Sequence, residues 1–485
     1  MAIGDVLLMI DGRDVPASAG ASFERLDPVR GETASRAAAA TVADAQAAAN
    51  AAAAAFPAWA AVLPGERRAI LARAADLLLQ RTPDFVQAMA AETGAAPMWA
   101  GFNCKLASGM LREAAALTTQ INGEVIPSDT PGMLSMALRQ PAGVVLGIAP
   151  WNAPVILGVR ALATPLACGN TVVFKTSEAC PRTHWLIADV LRAAGLPPGV
   201  LNVVSNAPPD APEVVDALIA HPAVRRVNFT GSTRVGRLIA ETCARHLKRV
   251  LLELGGKAPM IVLDDADLDA AVQAAAFGAY MNQGQICMST ERLVVDATVA
   301  DEFVARLALK LRTLRAGLPG AEGCVLGAMV GREAVQRVRA LIDDAVGKGA
   351  TLVAGGQSEG TIMQPALLDH VTPAMRIYRE ESFGPVVGVV RVHSVEEAVT
   401  VANDNEYGLA SAVFGRDVNR ALAVARQIDA GICHVNSATV HDEAQMPFGG
   451  VKGSGYGRFG GRAGIEEFTE LRWVTVQTTP AHYPF

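Results

Sequence analysis

Glu253 and Cys287 are the residues of this chain best suited to carbonyl chemistry. Glu253 opens Glu253-Leu-Gly-Gly-Lys257, and Cys287 closes Asn282-Gln-Gly-Gln-Ile-Cys287, with a helix-like stretch between them. A cysteine attacks a carbonyl carbon as its thiolate, which a lowered pKa or a neighbouring proton acceptor supplies. Glu253 lies within Leu251-Leu-Glu-Leu254, so burial is expected to raise its carboxyl toward neutrality, where it can activate water. Of the seven cysteines, Cys104, Cys168 and Cys243 fall in helical patterns, where thiols are ordinarily inert. The polar, glycine-containing loop before Cys287 instead leaves that thiol reachable. Pro150-Trp-Asn152 adds a side-chain amide that can donate to an oxyanion or cap the helix beginning at Pro154.

Two further segments could hold a phosphate or a sugar. Phe229-Thr-Gly-Ser-Thr-Arg-Val-Gly236 joins a strand to a helix, a setting in which backbone N–H groups face anions. It is neither the Gly-x-Gly-x-x-Gly fingerprint nor a P-loop. Lys175 and Glu178 follow the run Thr171–Phe174, the end of a strand at which open α/β sheets bind ligands. A solvated ion pair is the alternative for these two.

The elements around these segments alternate. Strand-like runs at 138–148, 171–174, 200–204 and 224–229 are separated by helical runs at 154–167, 182–194, 211–220 and 232–243, which predicts a parallel α/β sheet. A second series follows: strand 260–263, helix 268–280, strand 292–296, helix 300–314, and further alternation to Val435. Alanine-dense Ala37–Ala61 and the run Arg67–Met89 predict two surface helices. Leu471–Gln477 alternates like an exposed strand, and such an edge invites aggregation unless covered.

A chain of 485 residues exceeds one ordinary core, so two or three subdomains are expected. A net charge of -6 without a basic run argues against a nucleic-acid partner. No stretch reaches the ~18 uninterrupted apolar residues of a membrane span, so no membrane association is expected. Seven cysteines without Cys-x-x-Cys spacing suggest neither a disulfide framework nor a zinc site, and a reducing cytoplasm fits them. His434, His441, Asp442 and Glu443 carry no recognised ligand spacing; no metal is expected.

Taken in this order, the four segments around Asn152, Gly231, Glu253 and Cys287 resemble the aldehyde dehydrogenase superfamily, from the Asp11-Gly12 turn to Glu470. The resemblance implies an α/β protein of two open-sheet, doubly wound Rossmann-like domains with a small β oligomerisation segment. Residues 1–122 and 141–252 would form the NAD-binding domain and 253–455 the catalytic domain. Residues 123–140 and 456–485 would bridge subunits of a homodimer or homotetramer. Cys287 would form a thiohemiacetal and then a thioester, Asn152 and the Cys287 backbone N–H would hold the oxyanion, and Glu253 would activate the hydrolytic water. NAD or NADP would be held by Lys175, Glu178, Gly231, Ser232, Gly236, Glu381 and Phe383, with Ile148 and Trp151 at the same site. The Glu178 carboxylate would repel a ribose 2′-phosphate and so favours NAD.

The sequence also departs from that pattern. Thr176 stands where many relatives carry proline, and Phe459 where many carry glutamate after Arg458, which leaves deacylation to Glu253. Arg458 and Glu470 are expected to pair. Trp99 and Arg160 match positions lining the family's substrate tunnel, with Ile286, Met288 and Phe459 nearby. An arginine in an apolar helix needs a partner, either a polar substituent of the substrate or an internal carboxylate. The run His441–Gly461 looks most like the aromatic members, whose substrates are of the salicylaldehyde, vanillin or benzaldehyde type. Competing readings are an aliphatic or semialdehyde dehydrogenase, a CoA-acylating enzyme, a thiol esterase and a non-catalytic NAD-binding protein.

Overall fold

The structure, a computed structural model, describes residues 5–485. Its first sheet is built on five parallel strands in the spatial order Leu201–Val204, Thr171–Lys175, Val144–Ile148, Val224–Thr230, Arg249–Glu253. The hairpin Leu8–Ile10/Arg13–Val15 adds antiparallel strands at one edge, and Gly455–Tyr456 adds one at the other. Strands 144–148 and 171–175 are buried throughout, as β-branched strands covered on both faces should be. Helix Pro154–Ala167 packs on this sheet with thirteen of its fourteen residues buried. The strand order reverses beside Val144–Ile148, and the ends of open parallel strands at such a reversal form a natural crevice.

The second sheet runs Thr351–Ala354, Ala366–Asp369, Val386–Val392, Thr290–Asp296, Ala258–Val262, Ala410–Phe414, Ile432–Val435. All neighbours are parallel except the first pair. A third, antiparallel sheet joins Thr469–Gln477, Met133–Pro141 and Glu124–Ile126. Val125, Leu471 and Trp473 are exposed on it. Among the described residues no helix is long and apolar enough to cross a membrane.

Three expectations about elements change. The alanine-dense run is not helical from Ala37: Thr33–Ala38 is a strand, and the helix spans Val42–Ala60. Its start is fixed by a capping box in which Asp44 N–H donates to Thr41 and Thr41 N–H donates to the Asp44 carboxylate, satisfying two helix-end donors reciprocally. The run from Arg67 breaks into helices Pro64–Gln80 and Thr82–Thr93, because Pro83 lacks an N–H and disfavours a continuous helix. The β-rich run 138–148 divides at Gly143 (φ +131°) into strands of two different sheets.

Candidate active site

A cavity of about 880 Å³ opens between the two larger sheets, with Asn152, Glu253 and Cys287 in its wall. Each arrives by a different route. Glu253 is the last residue of its strand, paired with Gly455 and accepting the Gly231 N–H at its carbonyl (3.0 Å). Asn152 follows strand 144–148. Its side-chain amide donates to the Gln285 carbonyl at 3.0 Å, and its own carbonyl accepts from Trp99 Nε1 and Asn282 Nδ2, both at 2.9 Å. The helix after it is capped by Ala153 without a side-chain bond, so the capping role open to Asn152 in the sequence is not used. Cys287 lies beyond helix Leu268–Tyr280, after Asn282 (φ +49°) and Gln283 (φ +56°). Left-handed backbone at two non-glycine residues is sparsely populated and persists where surrounding bonds hold it; here Asn282 is tied to Asn152.

Glu253 is 1% exposed, and neither carboxylate oxygen has a hydrogen-bond partner. Burial raises its pKa to about 7, against the opposing pulls of the Cys287 thiol and Arg160. Burial and the adjacent Glu253 charge push the Cys287 thiol well above its ordinary value. Instead of a preformed thiolate, the site therefore holds a thiol beside a base poised near neutrality.

Gly255 and Gly256 permit this crowding. A Cβ on Gly256 would lie 2.3 Å from the Cys287 carbonyl oxygen, and one on Gly255 would lie 2.8 Å from Glu381 Oε2. Glu381 Oε1 accepts the Gly256 N–H at 2.9 Å, and burial lifts this carboxyl to about 7 as well. The Phe383 ring meets Trp151 edge-on at 5.8 Å, and both line the cavity. Two residues that the sequence reading missed fix that loop. Buried Glu291 accepts the Ser382 N–H (2.7 Å) and the Phe383 N–H (2.9 Å) and pairs with buried Lys257. Lys257 was in plain view at the end of the Glu253 motif, whereas nothing in the sequence links it to Glu291.

The other candidates separate. Gly231 and Ser232 stand in the cavity wall, and Ser232 caps helix Thr233–Arg245. Gly236 is outside it and makes room for Leu254, whose Cδ2 a Cβ would approach to 2.4 Å. Lys175 pairs with Glu178, and Glu178 also accepts from Asn206 Nδ2 at 3.1 Å; neither forms part of the wall, though Ala179 does. Ile148 is buried at the end of its strand. Trp99, Ile286, Met288 and Phe459 are buried in one apolar cluster against which Cys287 packs. Arg160 has an internal partner, Asp442, and lies over the Phe448 ring at 4.0 Å. Arg458 does not pair with Glu470. It donates to the carbonyls of Gly450 and Gly457, and Glu470 pairs with Arg226 at 2.6 Å.

The cavity suits a dinucleotide carrying a hydride acceptor. It lies at the strand-order reversal, borders a helix N-terminus, has the volume of a cofactor pocket, and reaches buried Glu253 and half-buried Cys287. A missing Cβ at Gly255 keeps the wall open beside Glu381, a carboxylate able to accept from a sugar hydroxyl.

Comparison with known proteins agrees with this geometry. The model of the aldehyde dehydrogenase family matches residues 15–474. A vanillin dehydrogenase of Pseudomonas fluorescens is 65% identical over 480 residues, 99% of each chain. A salicylaldehyde dehydrogenase of Pseudomonas putida is 53% identical over 479 residues, again 99% of each. The crystal structure of a Pseudomonas putida salicylaldehyde dehydrogenase complexed with salicylaldehyde superposes with a TM-score of 0.98 at 52% identity, covering 100% of both chains.

Proposed function

We propose, for a chain that belongs to the aldehyde dehydrogenase family, that it oxidises an aromatic aldehyde to the carboxylic acid with NAD as hydride acceptor. The observation carrying this reading is the buried, unpartnered Glu253 carboxylate beside the Cys287 thiol in the wall of the cavity. The family uses NAD or NADP, and the aromatic substrate is taken from the vanillin and salicylaldehyde dehydrogenases that the chain resembles at 53–65% identity.

In this reading Glu253 takes the proton of the Cys287 thiol, and the sulfur adds to the aldehyde carbon. The oxyanion meets the Asn152 side-chain amide and the Cys287 backbone N–H; loss of one such donor costs ~10²–10³ in rate. A nicotinamide held beside Glu381 and Phe383 would supply the acceptor for the hydride that leaves the thiohemiacetal carbon. A thioester then remains on Cys287. Glu253 removes a proton from water as that water attacks the thioester, and the acid and free thiol are released. Gly231 and Ser232 would hold the pyrophosphate, Lys175 and Glu178 the adenine-side ribose, and Glu381 and Phe383 the nicotinamide side, with Trp151 and Ile148 adjoining. Glu178 already accepts from Lys175 and Asn206, so a 2′-phosphate would bring a further charge against an occupied carboxylate, and NAD is preferred.

Residues 1–122 and 141–252 are assigned to cofactor binding and 253–455 to catalysis. The exposed apolar residues of the third sheet, formed by segments 123–140 and 456–485, are assigned to contacts in a homodimer or homotetramer. Seven free thiols suit a cytoplasmic setting. Initial rates of NADH formation with vanillin, salicylaldehyde, benzaldehyde and a short aliphatic aldehyde, each with NAD and NADP, test the reading. Preference for an aromatic aldehyde with NAD supports it, and an aliphatic preference overturns the substrate class.

A further inference from the structure

We propose that Gln285 is a positioning residue for the oxyanion: its side chain fixes the peptide whose carbonyl orients the Asn152 amide toward the aldehyde oxygen. This deepens the thiohemiacetal chemistry proposed above and rests on it.

Gln285 stands two residues before Cys287 in the wall of the same cavity and is 1% exposed. Its backbone carbonyl accepts one hydrogen of Asn152 Nδ2 at 3.0 Å. A primary amide carries two such hydrogens, and among the described residues Asn152 Nδ2 makes no other hydrogen bond. Asn152 also lines the cavity. With one N–H tethered to the wall, the other is left for an oxygen held at Cys287. An untethered amide would rotate about its last side-chain bond, and a donor that must reorganise during the reaction stabilises developing charge less.

The carbonyl can serve as a tether only while its own peptide is held. The Asn282 carbonyl accepts from the Gln285 backbone N–H at 3.0 Å and from Gln285 Nε2 at 3.2 Å, which closes the left-handed turn before Cys287. At the other end of the same side chain, Oε1 accepts the Val330 N–H at 2.9 Å. Exchanging nitrogen and oxygen would set donor against donor at Val330 and acceptor against acceptor at Asn282, so the amide has one orientation. Val330 is held in turn: its carbonyl accepts from Arg25 Nη2 at 2.8 Å, and Arg25 Nε donates to the Glu92 carbonyl at 2.7 Å. Arg25 belongs to strand Ser22–Leu26, and Val330 leads through Gly331 into helix Arg332–Gly347. The Gln285 side chain therefore ties the cysteine loop to segments anchored elsewhere in the fold, the support that a reactive group needs to keep its geometry.

Two reactions of one thiol separate orientation of the oxyanion donor from mere placement of the loop. Iodoacetamide forms a C–S bond as iodide leaves, and no oxyanion arises. 4-Nitrophenyl acetate is attacked at its carbonyl carbon; an oxyanion forms, 4-nitrophenolate leaves, and an acetyl thioester remains on Cys287. Both begin from the same thiolate, so a change in its population cancels in the ratio of acylation to alkylation, each followed at Cys287 by mass spectrometry. Gln285→Met keeps the unbranched length but loses both side-chain hydrogen bonds. It should lower that ratio about ten- to a hundredfold and slow the first turnover of NADH formation with vanillin by a similar factor, with NAD affinity within about twofold. Asn152→Ala should lower the ratio by ~10²–10³. In that background Gln285→Met should cost less than about threefold, because residues acting through one another are not additive. An unchanged ratio, an equal loss in both reactions, or full additivity with Asn152→Ala overturns the proposal. Should Gln285→Met fail to bind NAD, Arg25→Met cuts the same chain at a half-buried link; its ratio should fall about threefold, and an unchanged ratio there overturns the proposal as well. A wild type that shows these ratios yet forms no NADH with any aldehyde removes the oxidation reading instead.

Discussion

Two buried glutamates, one from each large sheet, are treated in opposite ways. Glu291, from the second sheet, accepts two backbone N–H groups and pairs with Lys257. Glu253, at the end of a strand in the first sheet, has no partner on either oxygen. Burying a carboxylate costs several kcal/mol unless it is paired and hydrogen-bonded. Glu291 meets that requirement and holds the loop bearing Glu381 and Phe383. Glu253 does not, so its carboxyl titrates near neutrality beside a thiol. A satisfied carboxylate fixes backbone, and an unsatisfied one is available to protons.

The sharpest break in that comparison comes from removing the thiol beside the unsatisfied carboxylate. Cys287→Ala should lower NADH formation by at least ~10⁴ while NAD affinity, measured by fluorescence titration, stays within about twofold; retained turnover would remove Cys287 as nucleophile. Glu253→Gln should follow, slowing both the first NADH-forming turnover and deacylation, with a steady rate down by ~10²–10⁴. Rapid-mixing kinetics check this, and an unchanged steady rate would end the role of Glu253 in deacylation.

Glu291→Gln should act on stability before chemistry. It strands the Lys257 ammonium in the interior, and breaking a buried pair in this way costs about 3–5 kcal/mol, read as a lowered denaturant midpoint. A neutral result would show that Glu291 is not the anchor of the Phe383 loop.

The smallest effect is a pH dependence of opposite sign. The folded pKa of Glu253 is raised to about 7, so its contribution to stability is full below the unfolded carboxylate pKa and is lost as pH rises through 7. Wild type and Glu253→Gln should therefore diverge between about pH 4.5 and pH 7, the variant gaining up to about 3 kcal/mol relative to wild type by neutral pH and running parallel to it above. Thermal melts across that range check it, and parallel curves would mean that Glu253 titrates at its ordinary value.

Much of this was legible in the chain. The period-two and helical runs separate most of the strands and helices of the two parallel sheets, since burial on both faces forces apolar strands and turn residues punctuate them. Residue type and immediate neighbours mark Asn152, Glu253 and Cys287, and all three do line one cavity. The low-resolution failures are also physical. The start of helix Val42–Ala60 depends on one capping box, and alanine continues a helix or a short strand with little local preference.

What the sequence determined by itself is the family, the alternation of elements and the identity of the chemical groups, because these depend on side-chain type and short-range spacing. The tertiary structure alone decided which polar groups have partners. Arg160 and Asp442 are separated by 282 residues and Lys257 and Glu291 by 34; Arg458 and Glu470 stand closer in sequence yet do not meet. Whether a buried charge is satisfied is set by the packing of distant segments, and in this protein that distinguishes a carboxylate that holds a loop from one left free to take a proton.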